Sequence, residues 1–130
     1  MSDKPFEHVK ASVVVFTLTD KEVHGDTLAD GLRDELLAVY VQANALHAVL
    51  DFRNVTYISS AGIRPLLSLN RQVHGHGGRL VLCGLNPTVE EILSVTRLIS
   101  THGSGPAAFE SQRDVPSAIA SLYRNGLEAE

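Results

Sequence analysis

The chain has 130 residues, and its length and composition limit what it can be. This length fits one compact domain, and a hydrophobic content of 44% provides for a core, which excludes wholesale disorder. The formal charge is −4, and lysine and arginine are scattered rather than gathered into a basic patch with interleaved aromatic residues. We therefore expect a single domain over residues 1–130, with protein partners and no nucleic acid.

Two features bear on the compartment. The first five residues contain no apolar segment of the kind found in secretion signals, and no stretch approaches 18 consecutive apolar residues. Cys83 is the one cysteine, so an intramolecular disulfide cannot form. Because Cys83 ends the apolar run 80–83, we expect a buried and unreactive thiol. These observations favour a cytoplasmic protein without membrane insertion.

The first predicted elements are strands. The runs 13–18, 46–52 and 80–83 contain too few polar residues for strands with one face in water, and they are typical of strands buried on both faces of a parallel sheet. Residues 6–9 are expected to pair with residues 13–18 as a hairpin. A further short strand is expected near Phe109, after the glycine- and proline-containing loop.

Between the strands, apolar residues recur with the period of a helix. The first helix should start after Asp26 or Thr27, either of which can cap it. The second should end at the glycine-rich stretch 75–78. In the third, Asn86 should be the cap and Pro87 the first residue.

The last helix is expected to follow Asp114 and to end at Asn125 and Gly126, with residues 127–130 as a frayed tail. The element order is then β-β-α-β-α-β-α-β-α. Strands that alternate with helices indicate an α/β domain with right-handed crossovers. We expect a mixed sheet of four or five strands, covered by about four helices that lie mainly on one side.

Segment 50–64 carries the most information about function. A buried strand ends near Phe52, and a short loop then brings Ser59 and Ser60 to the start of the next helix. In α/β folds, binding sites lie outside the carboxyl ends of the strands. Because Pro65 cannot donate a backbone hydrogen bond, regular helix is expected to begin at about residues 61–62.

Two interpretations of these serines are open. Either Ser59 or Ser60 is an N-cap whose hydroxyl accepts a backbone N–H, which contributes about 1 kcal/mol. A capping serine beside the small residues Ala61 and Gly62 is also exposed, so a phosphate there would face free N–H groups and the positive end of the helix. The pattern is compatible with a plain cap and with a phosphorylation site.

The segment resembles the STAS domain, a family named for sulphate transporters and anti-sigma factor antagonists. In that family, a strand ending in Asp leads through a loop to Asp/Ile-Ser-Ser/Thr-Ala/Gly-Gly-Leu at a helix start. The matching residues are Leu50-Asp51-Phe52, Val55 and Ile58-Ser59-Ser60-Ala61-Gly62-Ile63-Arg64. Residues 82–87, Val89, 109–111, 114–115 and 118–119 also agree. The resemblance covers nearly the whole chain in the right element order.

The resemblance implies a mechanism. Stand-alone bacterial members bind an anti-sigma factor that carries a serine-kinase ATPase fold, and this frees the sigma factor. Phosphorylation of one serine breaks the complex, and a metal-dependent serine phosphatase restores it. Aligned on Gly62, this phosphoacceptor is Ser60. Ser59 stands where many members carry Asp, which makes Ser59 an alternative second acceptor.

The resemblance also implies a partner-binding surface in two parts of the chain. Its residues are Asp20, Lys21, Ser59, Ala61, Gly62, Ile63 and Arg64. The family's Gly-Glu/Lys-Leu/Ile-Asp element, which borders this surface, is present only in outline at residues 19–23, where Asp20 replaces the glycine. Arg64, with Leu67 or Leu69 beside it, is either part of a protein contact or ordinary helix surface.

Enzyme classes find less support. A serine hydrolase needs a base and an orienting acid near its nucleophile, and Ser60 lacks the glycine two residues before it that is typical of a nucleophile elbow. His74 and His76 lack a third and fourth metal ligand, and no glycine-rich loop precedes a helix. We expect a regulator without catalytic residues, metal or cofactor. The alternative is a non-catalytic STAS scaffold of a stress-signalling assembly, or the cytosolic accessory subunit of a lipid transporter.

Overall fold

The computed structural model describes residues 12–96, 98 and 109–129. Within these residues, the strands are β1 (Val13–Thr17), β2 (Glu22–Val23), β3 (His47–Asp51), β4 (Tyr57–Ile58), β5 (Leu80–Cys83) and β6 (Glu110–Gln112). The helices are α1 (Asp26–Ala43), α2 (Ser60–Gly75), α3 (Pro87–Val95) and α4 (Val115–Ala129). The predicted alternation of strands and helices is confirmed, and among these helices none has the length and apolar character that crossing a bilayer requires.

The main sheet has the strand order β1-β3-β5-β6, and each of its pairings is parallel. Strands β3 and β5 lie at its centre and are buried along their whole length. This accounts for their nearly unbroken apolar sequences, since helices cover both faces of a parallel sheet. The segment 6–9, whose antiparallel pairing would make the sheet mixed, lies outside the described residues.

The two faces of the sheet are covered unequally. On one face, Leu50 and Leu82 pack in a large core together with residues of α1, α2 and α3. On the other face, Val49 and Val81 pack against α4. The expectation that the helices lie mainly on one side therefore holds for three of the four described helices, and α4 covers the opposite face.

Two helix boundaries differ from the prediction. Helix α1 begins at Asp26 itself, and the cap position is Gly25, which has φ 86° and offers no side chain. Neither Asp26 nor Thr27 is the cap, because the turn at Gly25 starts the helix earlier. Helix α4 continues to Ala129, past Asn125 and Gly126. These residues lower helix propensity by up to about 1 kcal/mol each but do not forbid a helical backbone.

The start of α2 also differs and is described with the serine turn below, whereas the predicted end of α2 and the predicted starts of α3 and α4 are confirmed. Helix α2 ends at Gly75. The Asn86 side chain accepts a hydrogen bond from the Val89 N–H at 2.8 Å, and Pro87 is the first residue of α3. Asp114 accepts from the Ser117 N–H at 2.9 Å at the start of α4, and hydrogen bonding from the Ser117 side chain and N–H lowers the pKa of Asp114.

A second, two-stranded parallel sheet was not predicted. Strand β2 pairs with β4, with Glu22 opposite Tyr57 and Val23 opposite Ile58. Each strand has only two residues, one exposed and one buried. Such short strands give no periodic signal in the sequence. Strand β4 lies in the chain between the end of β3 and the start of α2, and its pairing brings β2, which precedes α1, beside it.

A cluster of polar side chains around one buried histidine lies at the amino end of the main sheet. His47 is 6% exposed, and its Nδ1 accepts the Arg79 N–H at 2.9 Å. Arg79 in turn donates to the Glu110 carboxylate through Nε at 2.8 Å and through Nη2. Burial lowers the pKa of His47, the positive charge of Arg79 lowers it further, and Glu110 opposes both. The imidazole is therefore neutral in the folded protein at pH 7.

We predict that His47 makes the fold less stable in mild acid. Its folded pKa lies below the unfolded value of about 6.5, so the unfolded chain binds the proton more readily and stability falls as pH drops through this range. Urea unfolding between pH 7.5 and 5 should show this loss. His47→Asn, which keeps an acceptor near the Nδ1 position, should reduce the slope. Equal slopes for the native chain and His47→Asn would contradict the prediction.

Candidate functional site

The loop that leads to the serines begins at a buried carboxylate. Asp51 ends β3 and is 3% exposed. One of its oxygens accepts the Arg53 N–H at 3.0 Å, and the other lies 3.1 Å from the Arg53 Nε. Gly84, with φ 69°, packs so closely that a Cβ there would lie 2.9 Å from the carboxylate. The first turn of the loop is thus fixed by an ion pair and by close packing.

The rest of the loop is tied to both neighbouring strand ends. The Phe52 N–H donates to the Cys83 carbonyl at 2.8 Å, and the Asn54 side chain donates to the Leu18 carbonyl at 3.1 Å. Phe52 and Val55 are buried in the core. A loop held at this many points delivers the serine turn in one defined position.

The small sheet brings residues 19–23 against the serine turn. The Lys21 carbonyl accepts the Thr56 N–H at 2.7 Å and the Thr56 hydroxyl at 3.1 Å. The Val23 carbonyl accepts the Ser59 N–H at 3.0 Å. Asp20 and Lys21 are exposed. The two parts of the chain that the sequence assigns to a partner-binding surface are therefore neighbours in the structure.

The two serines have different roles at the start of α2. Ser59 is the N-cap, with an extended backbone, and its hydroxyl accepts the Gly62 N–H at 3.2 Å. Ser60 is the first residue of the helix and its side chain is exposed. The helix begins at Ser60, one or two residues before the predicted start. Ser59 is thus the structural serine, and the Ser60 hydroxyl points to no described partner.

Gly62 allows the close approach between the helix and the small sheet. A Cβ at this position would lie 2.3 Å from the Val23 carbonyl oxygen and 2.9 Å from a Val23 methyl carbon. Gly62 and Ile63 are both buried, and Ala61 is half-buried. Gly62 and Ile63, two of the residues that the resemblance assigns to a partner-binding surface, are therefore placed inside the fold beside the exposed serine turn.

Arg64 connects the two long helices. Its Nη2 lies 2.9 Å from the Asp26 Oδ1 at the start of α1, and both side chains are more than half exposed. Leu67 is half-buried and lies with Arg64 along a shallow groove of about 240 Å³ between α1 and α2. Leu69 is fully buried, which corrects the expectation that it might flank Arg64 on the surface.

One exposed aromatic residue near the site escaped the sequence analysis. Tyr57 is 43% exposed and precedes the buried Ile58 in β4. Aromatic side chains are enriched at protein interfaces because they bury a large area at little entropic cost. The alternation of Tyr57 outside and Ile58 inside was the available signal, but two residues are too few to establish a period.

The structure offers no catalytic base for these serines among the described residues. No hydrogen bond there joins a histidine to Ser59 or Ser60, and His74 and His76 lie at the opposite end of α2, about 20 Å away along the helix. Burial, with the neighbouring Asp51 charge, raises the pKa of Cys83 to about 12, in line with the predicted unreactive thiol. The described side chains also contain no group of three or more metal-ligating residues.

Comparison with known proteins places this site in a family. Residues 11–102 match the STAS domain. The chain belongs to the STAS domain family. The matched residues include β1 to β5, the loop after β3, the serine turn and α3. The similarity to the family is therefore not limited to the serine motif and covers most of the described fold.

One relative and two solved structures are similar to this chain. BtrV of Bordetella bronchiseptica is named as an anti-sigma factor antagonist, and its name marks that assignment as provisional. It is 39% identical to this chain over 64 residues, which are 49% of this chain and 55% of BtrV. The structure of the unphosphorylated anti-sigma factor antagonist SpoIIAA matches with a TM-score of 0.56 at 17% identity, over 89% of this chain and 93% of SpoIIAA. The murine anion transporter Slc26a9 matches with a TM-score of 0.72 at 15% identity, over 95% of this chain and 20% of the transporter. At these identities, the structural matches show a shared fold.

We predict that Gly62→Ala destabilises the protein by about 1–3 kcal/mol, because the added methyl group meets the Val23 backbone and one of the two elements must move. Gly75→Ala is the matched control. Gly75 lies on the same helix with nothing within 4 Å of its Cβ position, so this change should leave stability equal or higher. Equal thermal unfolding of the two variants would contradict the close approach.

A second prediction separates the two serines. Ser59→Ala removes the cap and should cost about 1 kcal/mol in the free energy of unfolding. Ser60→Ala removes a hydroxyl that makes no described contact, so we expect a change below about 0.5 kcal/mol. Chemical denaturation of both variants tests this difference, and an equal loss at both positions would contradict the assignment of Ser59 as the cap.

Proposed function

We propose that this chain is a cytoplasmic anti-sigma factor antagonist that is switched by phosphorylation of Ser60. The observation that carries the proposal is the division of roles between the serines. Ser59 holds the helix start through its bond to Gly62, and Ser60 presents a free hydroxyl at the exposed first position of α2. A kinase that modified Ser60 would therefore leave the cap intact.

The relatives support the regulatory part of this proposal. BtrV carries a name of this class, and SpoIIAA, named as an anti-sigma factor antagonist, shares the fold. The proposed partner is an anti-sigma factor with a serine-kinase ATPase fold, and a metal-dependent serine phosphatase restores the unmodified state. The chain itself binds and releases its partner without catalysing a reaction.

The proposed contact surface surrounds the serine turn. It consists of Ser60 and Ala61, with the exposed Tyr57 of β4 and the exposed Asp20 and Lys21, which come just before the paired strand β2. A phosphate adds about −1.5 to −2 charges at the centre of this surface. Losing a hundredfold in affinity requires only about 2.7 kcal/mol, which an unpaired charge at an interface readily provides.

Ser59 remains an alternative acceptor under this proposal, but its environment favours Ser60. The Ser59 hydroxyl is half-buried and already accepts the Gly62 N–H. Phosphorylation there would have to rearrange the cap and its surroundings. Peptide mapping of the modified protein distinguishes the two positions directly.

We predict that charge at position 60 controls partner binding. Ser60→Ala and Ser60→Asn should bind the anti-sigma factor as tightly as the unmodified protein, and Ser60→Asp should bind at least about a hundredfold more weakly. Asn is the matched control because it has the shape of Asp without its charge. The partner is first identified by capture from the host with the Ser60→Ala variant, and the affinities are then measured by calorimetry. Equal partner affinities of the Ser60→Asp and Ser60→Asn variants would contradict a charge-based switch.

The modification itself is tested in the native host. Intact mass and peptide mapping under growth and stress should show a phosphate on Ser60 whose occupancy changes with conditions. A chain that is never modified would contradict the switch. The scaffold or transporter-subunit role would then be favoured, and the same turn would act as a cap and contact surface only.

A further inference from the structure

Ser60 and Arg64 lie one helical turn apart on α2. Side chains four residues apart on a helix are neighbours, with about 5–6 Å between their Cβ atoms. The arrangement with the acidic group nearer the N-terminus and the basic group nearer the C-terminus is the favourable one, because it also suits the helix dipole. A phosphate on Ser60 would thus have the Arg64 guanidinium within reach.

The present partner of Arg64 is easily replaced. The Arg64 and Asp26 side chains are 55% and 80% exposed, and ion pairs exposed to this extent contribute little to stability. A phosphate dianion carries nearly twice the charge of a carboxylate and offers three acceptor oxygens to the planar guanidinium. Competition between the two anions therefore favours the phosphate.

We propose that phosphoserine at position 60 draws Arg64 away from Asp26 and binds its guanidinium. The inference rests on the proposed function, because it concerns the phosphorylated state of the same serine. Arg64 is then the residue through which the chain itself responds to the modification. It is a positioning residue, and the exchange replaces one ion pair with another without forming or breaking a covalent bond.

The exchange extends the effect of the phosphate beyond Ser60. Arg64 lines the groove between α1 and α2 together with Arg33 and Arg71. When its guanidinium moves to the start of α2, the groove loses a positive charge and the exposed Asp26 carboxylate loses its counter-ion. Phosphorylation thereby changes the charge at two places on the surface, the serine turn and the start of α1.

Other charged groups near the turn are less suited to this role. Arg53 is held by the buried Asp51 at 3.1 Å. Lys21, Glu22 and His24 lie on β2 and its flanks, and His24 is 3.4 Å from Glu22. Lys21 is exposed on a different segment, without the fixed spacing of a shared helix. Arg64 alone among these groups combines that spacing with a weak present partner.

The test uses the full chain with phosphoserine incorporated genetically at position 60, so neither kinase nor partner is needed. The second pKa of the phosphate is read by phosphorus NMR titration. A neighbouring cation favours the dianion and lowers this pKa, so Arg64→Gln should raise it by roughly 0.2–0.4 pH units. Asp26→Asn removes the competing anion and should lower it.

Two controls complete the design. Arg71→Gln removes an exposed arginine from the same helix two turns further on and should leave the phosphate pKa unchanged. Arg64→Lys keeps the charge and should restore most of the native value. The unphosphorylated variants are compared by thermal unfolding, so that a loss of folded protein is not mistaken for a loss of contact.

The outcomes separate this inference from the proposed function. Equal phosphate pKa values in the native chain and in Arg64→Gln would overturn the inference, and so would a shift carried by Lys21→Gln. An effect of Arg64→Gln without any effect of Asp26→Asn would overturn the exchange between the two anions. A host protein that is never phosphorylated would overturn the proposed function and leave the titration result standing.

Discussion

The contact between Val23 and the start of α2 is the constraint on which the site depends. The Val23 carbonyl accepts the Ser59 N–H at 3.0 Å. The same carbonyl oxygen lies so close to position 62 that only glycine fits there, since a Cβ on Gly62 would be 2.3 Å from it. Together with the Lys21 carbonyl, which accepts the Thr56 N–H, this carbonyl joins the segment before α1 to the turn before α2, more than 30 residues away in the sequence. These contacts hold Asp20 and Lys21 in a fixed position relative to Ser60, so the proposed surface is one unit.

Under the proposed function, the same constraint would let Ser60 carry an added charge without a change in the fold. The loop before the turn is held by the buried Asp51, and the helix start is held by the Ser59 cap and the Gly62 contact. None of these interactions uses the Ser60 hydroxyl. A modification there therefore acts on what approaches the surface and on exposed neighbours such as Arg64, and it leaves the core and the main sheet as they are.

The sequence predicts those parts of the fold that are set by local or repeating patterns. The buried strands β3 and β5 follow from their continuous apolar runs, and the start of α3 follows from Asn86 and Pro87. The parts that were missed depend on single contacts or on backbone geometry. The positive φ of Gly25 starts α1 early, and the two-residue strands β2 and β4 exist only because they pair with each other. The Arg64–Asp26 ion pair joins residues 38 positions apart, so no local pattern indicates it.

The departures of this chain from its family concern charge at the turn more than shape. Ser59 stands where many members carry Asp, yet its hydroxyl still accepts the Gly62 N–H, so the cap survives and a negative charge is absent. A phosphate on Ser60 consequently meets a neutral neighbour on one side and Arg64 one turn further on. For both reasons, the phosphate would meet less electrostatic repulsion here than in a chain that carries Asp at position 59. Repulsion between the phosphate and its neighbours in the turn would be small. Release of a partner would then depend on the unpaired phosphate charge at the interface with that partner.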